Sequence, residues 1–347
     1  MKFELEQIKK NLLCEDMTEH RLVQTLELIS KGFTSKRENI SKYVNDREYV
    51  SAYTSFYLPT NIPKLKFVFD QLPKDLLSSI KDSHIVDYGC GPGTFSFAFD
   101  EYFDGDIRVT GVDQSSIMIE QAKKLNERLY LNTDLHFDSE IPAQWSEGTL
   151  LFGHSMNEMG HERALKLITQ HRPKHIIFIE PGTSEVFKSI LAIRDALSKS
   201  GYTCFYPCQN IQMRCPVGER VSEGLSDWCH QVIRTTHGPD IERLAQLIKL
   251  DRKTMPLIAH VYSTEVTRSS SLARMIRFYR ETKFSFDWEV CLEREGKLSV
   301  IDFEVTKREL TKGQIKYLQK ISVGLEFEFE VIKELGPDRW RVKINLD

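Results

Sequence analysis

The sequence predicts an α/β fold: a mostly parallel sheet of seven strands, preceded by a helical region and followed by a small β-rich domain. Three observations carry that prediction. From residue 84 short apolar runs alternate with helical stretches. Before residue 80 the apolar spacing is helical, with no strand-like alternation. After residue 265 the texture turns to strands around one helix. A length of 347 residues suits two domains at ~150 residues each. With 41% hydrophobic and 28% charged residues, the composition excludes a disordered chain, a fibrous repeat and a disulfide scaffold.

Taken in order, the helical N-terminal region (1–80) shows Leu12, Leu13, Leu22, Val23, Leu26 and Leu28 at helical spacing. Pro59 and Pro63 are expected to break that pattern, with a further helix over Lys64 to Leu72. The second domain (81–265) offers strands at His84–Tyr88, Arg108–Val112, Leu135–Phe137, Thr149–Gly153, His175–Ile179, Gly201–Tyr206 and Leu257–Tyr262. Helices fill Thr94–Phe99, Ser116–Leu129, Glu162–Gln170 and Ser184–Ser198, and a cysteine-rich insert (204–255) separates the last two strands. The C-terminal domain (266–347) is read as strands at Phe284–Val290, Lys297–Val305, Leu325–Ile332 and Trp340–Ile344, with a helix near Lys312–Ile321.

No apolar run approaches the ~18 residues a membrane helix needs. The first residues, Met1-Lys2-Phe3-Glu4-Leu5-Glu6, resemble neither a secretory signal nor a mitochondrial transit peptide, so a cytoplasmic protein is expected. A net charge of −3, from 47 basic and 50 acidic residues, means that a nucleic-acid partner requires a local basic patch. Nothing in the sequence speaks to oligomeric state.

The sharpest motif is Asp87-Tyr88-Gly89-Cys90-Gly91-Pro92-Gly93-Thr94. A buried strand ends in glycines at alternate positions and then opens a helix. Glycine lets the backbone turn tightly and approach a ligand with no Cβ in the way. This spacing suits an amino-acid or nucleoside ligand better than a pyrophosphate. Asp113, at the end of the next strand, is placed to accept hydrogen bonds from both ribose hydroxyls, and Asp138 to face an adenine amino group. The set resembles the class I S-adenosylmethionine-dependent methyltransferases, with their Rossmann-like sheet. That resemblance covers about residues 80–200 and makes Asp87, Gly89, Gly91, Gly93, Asp113 and Asp138 the cofactor-binding residues. No Asn/Asp-Pro-Pro-aromatic set follows the fourth strand, where the chain reads Gly153-His154-Ser155-Met156-Asn157-Glu158. The methyl acceptor therefore has no sequence signature, and no catalytic residue is singled out; methyl transfer needs mainly alignment.

Four of seven cysteines, Cys204, Cys208, Cys215 and Cys229, fall within 26 residues. Outside secreted proteins, such clustering points to metal. The irregular spacing of Cys208, Cys215 and Cys229 suits an iron–sulfur cluster better than the short pairs of structural zinc. Zinc and ordinary buried thiols remain alternatives. Cys291 is available as fourth ligand, with Cys204 and His230 as competitors.

Several short motifs occur in order: Tyr57-Leu58-Pro59-Thr60-Asn61, Ser155-Met156-Asn157-Glu158-Met159, Glu180-Pro181-Gly182-Thr183, Pro207-Cys208, Cys215-Pro216 and Asp227-Trp228-Cys229-His230. Together they resemble the methyltransferase-like proteins associated with the mitochondrial small ribosomal subunit, which have bacterial relatives. The resemblance implies S-adenosylmethionine in the glycine loop and a [4Fe–4S] cluster on Cys208, Cys215, Cys229 and Cys291. It also implies a role on the small ribosomal subunit or its rRNA. Two basic stretches, Arg268, Arg274, Arg277, Arg280 and Lys283, then Lys307, Arg308, Lys312, Lys316 and Lys320, are the expected RNA contacts. A non-catalytic assembly factor and a small-molecule methyltransferase with a structural zinc are the competing readings.

Overall fold

The computed structural model describes residues 2–35, 45–265 and 272–346, so Arg268 lies outside the described residues. The chain divides into two compact units. The first comprises Met1–Ser155, Ile168–His175 and Thr235–Thr254; the second comprises Met156–Leu167, Ile176–Arg234 and Met255–Asp347.

In the first unit the expected break at Pro59 and Pro63 is absent. One helix runs Arg47–Phe69 through both prolines. Each proline removes one backbone donor. The carbonyls left without a helical donor are those of Ser55 and Pro59. Burial on most sides holds the helix together across them, since Phe56, Leu58, Ile62, Leu65, Val68 and Phe69 all lie in the core. Asp46 caps the start, accepting from the Glu48 and Tyr49 amides.

Four parallel strands follow: β1 (His84–Tyr88), β2 (Arg108–Val112), β3 (Leu135–Asp138) and β4 (Thr149–Gly153). β1 pairs with β2 on one side and β4 on the other, and β3 lies beyond β2. The order β3-β2-β1-β4 reverses direction between β1 and β4, so a crevice opens beyond their carboxyl ends. That is where ligands bind in open α/β sheets. The helices Thr94–Tyr102 and Ser116–Leu125 connect the strands as expected, the first running three residues further and the second continuing as a π-helical turn over Asn126–Tyr130.

The second unit contributes β5 (His175–Pro181, from Ile176 on), β6 (Thr203–Tyr206), β7 (Gln231–Arg234) and β8 (Thr254–Ser263, from Met255 on). The seven expected strands are thus β1–β6 and β8. β7, which the sequence reading missed, pairs with β8. β6 runs antiparallel to β8, with Cys204 opposite Tyr262.

The rest of this unit is a second sheet: β9 (Ala273–Glu281), β10 (Ser285–Arg294), β11 (Lys297–Thr306), β12 (Glu326–Phe327), β13 (Phe329–Gly336) and β14 (Arg339–Ile344). β9 was read in sequence only as a basic stretch. Its order is β12-β9-β10-β11-β14-β13, with β11 and β14 parallel. β12 and β13 are one strand interrupted at Glu328, so the two ends of the sheet meet and the sheet closes. A five-stranded barrel in which the third and fifth strands are parallel, with the helix Lys312–Leu318 between the third and fourth, has the topology of an OB fold. Phe286, Trp288, Val290, Ile301, Phe303, Phe327 and Val342 fill it.

Candidate functional site

Gly89, Gly91 and Gly93 all take positive φ (76°, 55° and 88°), which L side chains rarely adopt. Their spacing follows from that requirement. A Cβ on Gly89 would collide with Ser155, and one on Gly93 would come within 2.7 Å of the Phe97 ring. Beside Gly91 there is open space, so this glycine faces the crevice. The Gly89 and Cys90 amides both donate to Val112 O, at 2.7 and 3.0 Å, tying the loop to the end of β2.

Asp87 and Asp113 hold the loop from either side. Asp87 is fully buried; its Oδ2 accepts from the Ser96 amide at 2.9 Å and from Ser96 Oγ at 2.8 Å. Burial lifts its pKa to about 7 against the pull of those bonds. Asp113 Oδ2 accepts from the Gly91 amide at 2.9 Å and Oδ1 from the Ser115 amide at 2.8 Å. Each oxygen keeps a further lone pair. Burial raises this carboxyl too, and the two amides oppose the shift. Asp138 is exposed, and its Oδ1 accepts from the Ser139 amide at 2.6 Å, while its own carbonyl accepts from Asp113 N. The six residues predicted to hold the cofactor thus come together at the ends of β1, β2 and β3.

The second constellation lies within the second unit. Cys208 follows β6; Cys215 caps the helix Pro216–Ser222, its Sγ accepting from Gly218 N at 3.4 Å; Cys229 precedes β7; Cys291 is on β10. Burial first, then the charge of Cys215, Cys208 and Cys291, pushes the Cys229 thiol well up. Cys215 rises to about 11 and Cys291 also rises, both through burial and then Cys208. Cys208 goes the other way, down to about 6, chiefly through its hydrogen bond with Cys204 and then the Arg194 guanidinium. The four thiols predicted as ligands, each half-buried, therefore influence one another's charge and lie near two arginines, Arg194 and Arg274. Among the described residues, the one trio whose donor atoms all lie within 4.8 Å of each other is Cys204, Cys208 and His260. Sequence reasoning missed His260, because strand pairing alone brings β8 to Cys204. His230 stacks on Trp228, with ring centroids 5.5 Å apart, and its neighbouring charges are Arg277 and Asp227.

The ordered motifs acquire structural reasons. Glu180, fully buried, accepts from the Met156 and Asn157 amides at 2.8 and 3.3 Å, starting the short helix Met156–Met159. Trp228 Nε1 donates to Gly182 O at 3.1 Å. Gln231, buried at the start of β7, accepts from the Ala259 amide at 2.8 Å.

The first basic stretch is paired with acids; Arg274 is buried, Arg277 half-buried and Arg280 exposed. Arg274 is 2% exposed, paired with Glu326 at 2.8 Å and stacked over Tyr206 at 4.6 Å. Arg277 bonds Asp227 and lies 3.2 Å from Glu289, and Arg280 donates to Asp287 at 2.9 Å. In the second stretch Lys307 is tied to Glu281, whereas Lys312, Lys316 and Lys320 stand exposed beside Tyr317.

The strand order, the glycine loop and the acid closing β2 define a class I S-adenosylmethionine-dependent methyltransferase fold. Residues 47–316 match the family described as mitochondrial small ribosomal subunit Rsm22, and the chain belongs to that family. No curated protein matches it. Several solved structures resemble it distantly. YjhP of E. coli is 16% identical, covering 59% of this chain and 98% of its own, with a TM-score of 0.32. Magnesium protoporphyrin IX methyltransferase from Synechocystis, with bound S-adenosylhomocysteine, is 12% identical over 68% and 98%, at 0.35. A putative RNA methyltransferase from Pyrococcus horikoshii is 12% identical over 73% and 100%, also at 0.35. Such scores carry no argument about activity. Among the described residues no helix is long and apolar enough to cross a membrane.

Proposed function

We propose that this chain is an S-adenosylmethionine-dependent methyltransferase acting in the cytoplasm on the small ribosomal subunit or its rRNA, with an iron–sulfur cluster in its second unit. The observation that carries the first part is the Gly89–Gly93 loop joined to Asp113 at the strand reversal, in a chain of the Rsm22 family. Asp113 presents its remaining lone pairs to the ribose hydroxyls, Gly91 admits the ligand against bare backbone, and Asp138 lies beyond β3 for the adenine amino group.

The donor set supports the second part. Cys208, Cys215, Cys229 and Cys291 would hold the cluster. Four half-buried thiolates side by side repel one another, and a cluster with its four thiolates carries about −2, beside which Arg194 and Arg274 lie. When bound, the cluster supplies the positive iron that keeps the four sulfurs deprotonated. The tight trio of Cys204, Cys208 and His260 is what a zinc alternative would use.

RNA would be met by the basic end of the barrel, where Lys283, Lys312, Lys316 and Lys320 accompany Phe284 and Tyr317, 73% and 52% exposed. Aromatic rings stack bases and lysines pair phosphates in single-strand binding. The strand face that OB barrels offer to oligonucleotides carries paired charges here: Asp287 with Arg280, Glu289 with Arg220 and Arg277, and Glu304 with Arg339 and Arg341. Chain purified without oxygen is tested for iron and sulfide, for S-adenosylmethionine binding by calorimetry, and for transfer of labelled methyl to small subunits. Binding without transfer would leave the non-catalytic assembly factor, and transfer to a small metabolite alone would replace the ribosomal reading.

A further inference from the structure

The first unit holds a cluster of cationic side chains, largely withdrawn from solvent, that the proposed cofactor site does not use. The helix Arg47–Phe69 carries Thr60, Asn61 and Lys64 in its buried length, 0%, 2% and 3% exposed. Arg252 Nη2 donates to Thr60 Oγ1 and to Asn61 Oδ1, each at 2.8 Å, and its guanidinium lies 5.5 Å from the Tyr57 ring centroid. One turn further along the helix, Lys64 Nζ lies 2.9 Å from His154 Nε2.

His154 follows β4 directly, in a left-handed conformation (φ 61°) that non-glycine residues seldom adopt outside functional or strained positions. Its ring lies 5.8 Å from that of Phe95, in the first turn after the glycine loop, and the next residue, Ser155, is the one a Cβ on Gly89 would strike. The cluster therefore borders the loop at the strand reversal. Burial, and then the charges of Lys64 and Arg252, hold His154 neutral, so Nε2 accepts the proton that Lys64 donates.

The charge balance of Arg252 is incomplete. Both its partners are neutral oxygens, its Nε is buried with no hydrogen bond, and no carboxylate pairs with it among the described residues. A guanidinium half withdrawn from water, with a buried Nε and no counter-charge, is unfavourable, and the species that relieves this is an oxyanion. Thr60 and Asn61 fix its plane, and Tyr57 covers one face, so the group is held for a ligand before one arrives.

We propose that Arg252, with Lys64 beside it, is an oxyanion site on the acceptor side of the glycine loop, taking a phosphate or carboxylate of the molecule that receives the methyl group. Naming that molecule rests on the methyltransferase reading; oxyanion binding itself does not.

The test is calorimetry on the full chain, with inorganic phosphate in one arm and acetate in the other, with and without S-adenosylhomocysteine. Wild type is expected to bind one of the two, phosphate indicating a nucleic-acid acceptor and acetate a carboxylate-bearing one. Arg252→Gln should weaken that binding by about tenfold or more, Lys64→Met by less, while Arg252→Lys retains part of it. A thermal melt without ligand checks that each variant is folded. S-adenosylhomocysteine affinity should move less than about twofold in any of them. No anion binding by wild type, or equal binding by folded Arg252→Gln, overturns the inference. So does a fall in S-adenosylhomocysteine affinity with Arg252→Gln, which would assign the guanidinium to the cofactor's own carboxylate. If S-adenosylhomocysteine fails to bind wild type at all, the cofactor reading falls, and the arm without it still decides the anion site.

Discussion

The glycine loop and the cysteine cluster prepare for their ligands in opposite ways. In the loop, the groups that shape the seat are already paired: Asp113 spends one lone pair of each oxygen on backbone amides, and the three glycines adopt φ values that need no ligand to enforce them. The ligand finds a surface that changes little. Around the cysteines, burial and mutual charge oppose ionisation of Cys215, Cys229 and Cys291, and Arg194 and Arg274, already paired with Asp195 and Glu326, lie beside them. That arrangement is favourable only once a cationic centre arrives. Preorganisation by hydrogen bonds gives a site that survives without its guest; concentration of thiols gives one that does not.

The largest test of that contrast is loss of a thiol. Chain prepared without oxygen should be brown, and Cys229→Ser colourless, with the unfolding midpoint lowered by about 10 °C or more because metal binding and folding are coupled. A colourless wild type holding one equivalent of zinc would break the comparison on the cysteine side.

Next comes Asp87. Its folded pKa of about 7 lies above the ordinary aspartate value of about 3.8. The folded chain therefore keeps a proton there that the unfolded chain releases. Stability on this account is full below about pH 4, declines as pH rises to about 7, and levels off above, by at most about 4 kcal/mol. Asp87→Asn should flatten that decline in urea titrations across pH 4–8. An unchanged slope would show the carboxyl to be ionised throughout.

Asp113→Ala should weaken S-adenosylmethionine binding by about 1–3 kcal/mol, roughly 5- to 150-fold, while leaving the brown colour intact. Equal affinity in calorimetry would remove Asp113 from the cofactor site. The smallest effect concerns the barrel's basic end. Replacing Lys312, Lys316 and Lys320 together by Ala should lower affinity for small-subunit RNA several-fold and reduce its salt slope by about 2–3, with cofactor binding unchanged. A salt slope equal to that of wild type would place the RNA contacts elsewhere.

The sequence made the loop and its neighbours legible because their signals are local. Glycines that need positive φ cannot be replaced silently, and β1, β2 and β4 fall where their apolar runs begin and end. The helix through Pro59 and Pro63 was misread because proline rules describe a solvated helix, whereas this one is held by burial. β9 was hidden under its arginines: Arg274, Arg277 and Arg280 read as a charged face, but Glu326, Asp227, Glu289 and Asp287 neutralise them from distant elements. His260 escaped notice for the same reason, since its closeness to Cys204 arises only from the pairing of β6 with β8. Local chemistry was readable and long-range pairing was not.

The two-residue strand that closes the barrel has a consequence for the order of events during synthesis. Glu326 and Phe327 pair with Arg274 and Ala273, and Gly324 O accepts from Arg274 Nη1 at 2.6 Å. All four cysteines have been made by residue 291, well before that seam can form, and Arg274 must wait for Glu326. While the chain emerges at ~5–20 residues per second, Arg274 therefore passes a few seconds without its partner, beside the thiols proposed to hold iron. Cluster insertion would fall naturally into that interval, with barrel closure then shutting the door behind it.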